Sequence, residues 1–420
     1  MNALAAQVFA LADWWDLRDL GNPVRALTDW INGWGDGSTF HWVAYLVAGL
    51  IGAAALGLFL GVAMLSLIWI ERRAVALIQI RKGPNRVGPF GLLQPVADAL
   101  KLMQKEALTP RLGDRWVFWL APIVIFIPTL LVFGVLPFGP KMTVANLNVA
   151  VLYIVAVGSA TPLVIFMAGY SSNNKYSLLG AMRAVAMAIS YEIPMVLSLL
   201  GIVLFTGHMD LNGIVQWQQR YHVWLFMLQP LAALIYFFSA SAELNRTPTD
   251  IAEAESEIVA GYHTEYSGMK FGLFYAVELA NALAVSGIWA TLFFGGWWLY
   301  GLDRWIPPWL IFLGKTYILY GALIMTRGTL PRLRIDQLLD FAWKFLLPLS
   351  LVNVLAVALE VLIWQENGIS AGVVLPIFGV VNLILSGVLI VGYVQLFGFA
   401  KRNRPRKVKL VTDTLAAMPQ

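Results

Sequence analysis

Apolar residues in this chain come in long unbroken runs. Nine runs, at 41–70, 116–137, 147–170, 178–206, 223–244, 271–297, 308–327, 341–364 and 372–398, are each about twenty residues or longer, the length a helix needs to cross a hydrocarbon core of ~30 Å. The pattern predicts an all-α, polytopic transmembrane helix bundle of about nine membrane-spanning helices, because only closed backbone hydrogen bonding survives in lipid. Residues 1–40 differ: Val8, Leu11, Ala12 and Trp15 recur at helical spacing, and Trp14, Trp30 and Trp34 suit the lipid–water boundary, which predicts an amphipathic surface segment. The expected organisation is that segment, a single transmembrane domain over 41–400 with polar loops at 71–115 and 245–270, and a basic tail over 401–420.

Composition agrees with this reading. Of 420 residues, 59% are hydrophobic and 13% charged, and the mean hydropathy is +0.71. With no cysteine, the chain cannot supply thiolates to an iron–sulfur cluster or a cysteine nucleophile. The four histidines have no metal-ligand spacing, so no metal is assigned. The formal charge of +5 does not point to nucleic acid, because it follows the spans. Twenty-one Lys and Arg fall in loops after odd-numbered spans, against five on the opposite side and three inside spans. The positive-inside rule then puts the amino terminus outside and the carboxy terminus in the cytoplasm, and the expected location is a bacterial inner membrane.

Against that background the stretch Asn245–Gly268 is unusual, with Asp250, Glu253, Glu255, Glu257 and Glu265 crowded between two apolar runs. Glu243 before it and Glu278 after it carry acid into the spans, and Glu192 in the fourth span lies about 21 Å along its helix. A carboxylate at such depth costs roughly 2.5–3.5 kcal/mol, so these acids are candidate proton-relay groups, graded from the surface toward the midplane. Pro194 removes a backbone donor beside Glu192 and opens room for polar groups. Lys344 and Glu360, isolated in the eighth span, are accounted for by snorkelling. In the first polar loop, Gly83 and Gly88 have the spacing of a phosphate loop, but Pro89 and Phe90 stand where Lys and Ser/Thr are required, and that reading fails. What remains is a Gly/Pro-shaped turn followed by an amphipathic helix over Val96–Glu106.

These stretches together resemble one family. Glu71-Arg72-Arg73, Gly83-Pro84-Asn85-Arg86-Val87-Gly88-Pro89, Gln94-Pro95-Val96-Ala97-Asp98, Lys105-Glu106, Tyr191-Glu192-Ile193-Pro194, Ala242 to Pro248 and Gly261 to Ser267 are similar to the H-type membrane subunit of proton-pumping NADH:quinone oxidoreductase, respiratory complex I. The resemblance covers residues 60–350 and departs at Thr249 and Leu279, where Phe and Tyr are usual. It implies that the chain walls the membrane side of a ubiquinone or menaquinone chamber, with Arg72, Arg81, Arg86, Asp98 and Glu106 bordering it. It further implies that Glu192, Glu243, Glu278, Asp250, Glu253, Glu255 and Glu257 join the chamber to a proton path. The chain would hold no cofactor; FMN and iron–sulfur clusters would belong to peripheral-arm partners, and other membrane subunits would adjoin it. Two alternatives use the same acids: the related membrane component of an energy-converting hydrogenase, which lacks the Thr-Pro to Glu-Tyr-Ser-Gly loop, and a free-standing proton or cation transporter, for which no internal repeat is found.

Overall fold

The computed structural model describes residues 41–246, 249–251, 258–302, 305–367 and 371–396. The amphipathic segment expected over 1–40 and the basic tail over 401–420 lie outside the described residues. The regular elements among the described residues are all helical. α1 (His41–Ile78) leads to α2 (Gln94–Gln104), which lies beyond the first span. The second span is α3 (Arg115–Val124) and α4 (Phe126–Val135), and the third is α5 (Ala150–Gly158) and α6 (Ala160–Ser171). α7 (Lys175–Thr206) is followed by the short α8 (Leu211–Tyr221), α9 (Leu225–Leu228) and α10 (Pro230–Glu243). α11 (Gly268–Phe293) and α12 (Pro308–Thr329) precede α13 (Ile335–Phe341), a π-helical turn at Ala342–Leu346, α14 (Leu347–Asn367) and α15 (Ala371–Leu396).

Eight helical units among the described residues are long and apolar enough to cross a membrane. The run at 223–244 is the exception. Pro230 has no N–H and Gln229 leaves helical geometry at φ −130°, ψ 64°, so the run divides into one-turn α9 and fourteen-residue α10. At 1.5 Å per residue α10 reaches only ~21 Å, and its carboxyl end stops short of a full crossing. The breaks in the second and third spans also have local causes, Pro122 inside α3 and Pro128 early in α4, and Ser159 between α5 and α6.

α7 and α11 are the two most buried spans and α15 is the least. α7 packs against α6, α10 and α14, and α11 packs against α12, α1 and α4. Small residues permit these approaches. Gly180 of α7 lies against the backbone of Gly261, where an added Cβ would stand 2.7 Å from its Cα. That contact docks the 3₁₀ turn Gly261–His263, the end of the acidic stretch, onto α7, and Ser177 donates to the Tyr262 carbonyl at 3.1 Å beside it. Outward-facing Leu58, Leu77, Leu163, Ile318 and Leu383 are exposed, as a lipid-facing surface requires. α2 keeps its predicted amphipathicity, but Leu100 and Met103 on its apolar side are exposed as well.

Gly180→Ala is expected to destabilise the fold by about 1–3 kcal/mol, because the methyl meets backbone that cannot yield. Gly314→Ala, which has open space around it, is the control: its thermal unfolding midpoint in detergent should match the parent's.

Candidate functional site

A buried charged cluster forms around Glu71, two turns before the end of α1 and 5% exposed. It accepts hydrogen bonds from Arg246 Nη1 at 2.6 Å, from the Tyr320 hydroxyl at 2.8 Å, and from Arg327 Nη1. Tyr320 and Arg327 lie seven residues apart on α12, hence on one face. Arg246, 3% exposed, follows α10 directly and turns its Nε toward Glu278 Oε1 of α11 at 3.1 Å, an ion-pair contact without hydrogen-bond alignment. Two carboxylates and two guanidiniums therefore balance inside the bundle. Burial disfavours the Arg246 charge, but Glu278 and Glu71 outweigh it, so the guanidinium is held protonated more firmly than in water.

A second polar site lies along the last turns of α10. Glu243 lines a cavity of about 80 Å³ with Tyr236, Thr161 and Asn281, under apolar walls that include Met195 and Leu199 of α7. That volume admits several water molecules. Asn281 accepts from Thr129 at 2.7 Å, and Tyr236 donates to the Val285 carbonyl at 3.2 Å. The Glu243 carboxylate stands 3.6 Å from where a Cβ on Gly158 would be, and Gly158 closes the first half of the third span. Glu243 is the last residue of α10, and its carboxylate faces Gly158 of the third span. Glu192 of α7 lies within electrostatic range of it. Neither acid has a cationic partner among the described residues.

The other candidates are dispersed. Arg72 pairs with Asp98 of α2 at 2.5 Å, and Asp250 with Arg332 at 2.7 Å. The Arg81 side chain donates to Gln79 at 2.6 Å, and Arg81, Arg86 and Glu106 are exposed. Glu253, Glu255 and Glu257 lie outside the described residues. Sequence reasoning missed Glu71, Arg246, Arg327 and Tyr320 as site residues. Glu71 carried a signal, an acid at the end of an apolar run, but was read as part of a loop motif. Arg327 and Tyr320 carried none, since an arginine closing a span looks like a topology signal. Thr249, one of the two departures, is buried and bonds its hydroxyl to the Arg246 carbonyl at 2.6 Å, so the smaller residue still fits the turn.

Comparison with known proteins places this geometry. The family model described as NADH dehydrogenase matches residues 51–358. The H subunit of the NADH-quinone oxidoreductase of Dehalococcoides mccartyi strain CBDB1 is 53% identical over 323 residues, covering 77% of this chain and 88% of the relative. The H subunit of the Carboxydothermus hydrogenoformans enzyme is 49% identical over 70% of this chain and 84% of its own length. An H subunit from Geobacter metallireducens is 48% identical over 69% of this chain and 89% of its own length. With most of its length matched at this identity, the chain belongs to the NADH dehydrogenase family, as an H-type membrane subunit of NADH-quinone oxidoreductase.

Proposed function

We propose that this chain forms the membrane side of the quinone chamber and carries a charge and proton path away from it. The observation that carries the reading is the adjacency, in one loop, of two arrays with opposite charge balance. Glu71, Arg246, Arg327 and Glu278 form a balanced cluster; three residues before Arg246, Glu243 lines its own cavity, within electrostatic range of Glu192, and neither acid has a cationic partner among the described residues. Balanced charges transmit a field without storing a proton. Two neighbouring carboxyls without a cation respond to such a field, because one proton between them removes their mutual repulsion.

Reduction of a quinone to a quinol takes two electrons and two protons. The electrons would come from FMN and iron–sulfur clusters in peripheral-arm subunits, and no cysteine in this chain could ligate such a cluster. The exposed apolar side of α2, with Leu100 and Met103, suits the hydrophobic body of a quinone, and the Arg72–Asp98 pair that joins α1 to α2 suits its polar head. Arg81, Arg86 and Glu106 line the approach. Asp250, Glu253, Glu255 and Glu257 would connect that approach to the buried acids. Consumption of protons at the head group alters the local charge, Glu278 and Glu71 feel the change in low dielectric, and Arg246 passes it to the Glu243 site. By the distribution of Lys and Arg, the chamber end faces the cytoplasm of a bacterial inner membrane, with the amino terminus outside and the carboxy terminus inside.

Glu192→Gln, which removes one carboxyl of the uncompensated pair, is expected to cut proton translocation per NADH severalfold while membrane insertion and co-purification with iron–sulfur subunits persist. Quinone-linked acidification in reconstituted vesicles measures this; normal pumping by E192Q would refute the relay. Arg246→Met leaves buried carboxylates without their central cation and is expected to cost about 3–5 kcal/mol. Arg332→Met, at a more open pair with Asp250, should cost under ~1 kcal/mol. Thermal unfolding of the purified complex compares the two.

A further inference from the structure

The last two spans reach beyond the family match, which ends at residue 358, and they contain one buried carboxyl among the described residues. Glu360 of α14 is 8% exposed, so it does not snorkel to the interface; Lys344, by contrast, is open and pairs with Asp340 at 2.6 Å. Glu360 Oε2 accepts from the Asn382 amide of α15 at 2.9 Å, and the same amide nitrogen donates to the Leu228 carbonyl at 2.9 Å. Leu228 is the last residue of α9, at the break in the fifth run.

That break is gripped from both sides. Gln229 sends its Nε2 to the Gly201 carbonyl of α7 at 3.1 Å. One turn before Asn382, Gly379 brings the α15 backbone against α9: a Cβ there would lie 3.3 Å from the Met227 carbonyl. Irregular backbone at membrane depth persists only where protein groups satisfy it, and here the groups come from α7 and α15, with Glu360 orienting Asn382. Downstream of the break α10 runs straight to Glu243. A tilt of ~10° at the start of a ~21 Å helix moves its far end by ~4 Å, and a ~1 Å misplacement in a working site can cost ~10²-fold in rate.

We propose that Glu360 and Asn382 are positioning residues, and that α15 clamps the broken fifth segment so that Glu243 is held at its cavity. This rests on the reading of Glu243 as a relay acid. Glu360 acts through its hydrogen bond, not by carrying a proton, so a glutamine, which can accept the same bond, should replace it.

In the intact complex reconstituted into vesicles, Asn382→Leu and Glu360→Leu are expected to raise amide exchange over residues 225–232 at least tenfold. They should also lower protons moved per NADH at least twofold and shift the pH profile of coupled turnover, while Glu360→Gln keeps parent values in all three. Unchanged exchange in both leucine variants overturns the clamp. E360Q as damaged as E360L also overturns it, because Glu360 would then work through its own proton. Raised exchange with parent pumping overturns the link to Glu243. Glu243→Gln, measured in parallel, separates these outcomes: normal pumping by E243Q removes the relay reading, whereas the exchange result judges the clamp independently. If leucine at either site blocks assembly, Asn382→Ser, too short to bridge Leu228 and Glu360, is read by the same criteria.

Discussion

A carboxylate and a guanidinium buried side by side at membrane depth dictate the arrangement of everything around them. Glu71 and Arg246 are 175 positions apart in the chain, yet 2.6 Å apart in space. Neither can face lipid, and each is tolerable only if its remaining hydrogen-bonding capacity is met inside the bundle. Tyr320 and Arg327 from α12 and Glu278 from α11 meet part of it, so three spans and a loop must converge on one point. The mutual packing of α1, α11 and α12 is the form that this requirement takes.

The second constraint is on the backbone. The chain after α10 carries Arg246 into the interior, which is possible because α10 ends there and Arg246, Thr249 and Ile251 are themselves buried. Ser241 and Thr249 tie it down locally, with the Arg246 amide bonded to the Ser241 carbonyl at 3.1 Å and the Thr249 hydroxyl to the Arg246 carbonyl. A continuous helix over the fifth run would have given Glu243 a different direction. Interruption at Gln229–Pro230 is thus what sets an acid opposite Gly158, in a cavity with room for water. A broken helix and a buried ion cluster are two consequences of one architecture, and groups of α7 and α15 bond to the break.

Much of this was legible before any coordinates. Long apolar runs announced a helix bundle, since nothing else closes its hydrogen bonds in lipid. The amphipathic pattern at Val96–Glu106 marked α2 to within two residues. Acids inside spans marked the costly positions, because their cost is local and can be read one residue at a time. The local Glu192-Ile193-Pro194 and Gln229-Pro230 patterns were equally visible, though only the first was given structural weight.

What the sequence determined by itself, then, is the class of molecule, its family motifs and the set of costly groups, because hydropathy, propensity and charge are properties of single residues and short windows. Which of those groups meet was decided only by the tertiary structure. Glu71 finds Arg246 and Arg327, Glu243 faces Gly158 and not the surface, and Glu360 binds Asn382 in place of reaching for water. Such pairings depend on where a helix breaks and how closely glycines let spans approach, and those are relations between distant segments that no local pattern encodes.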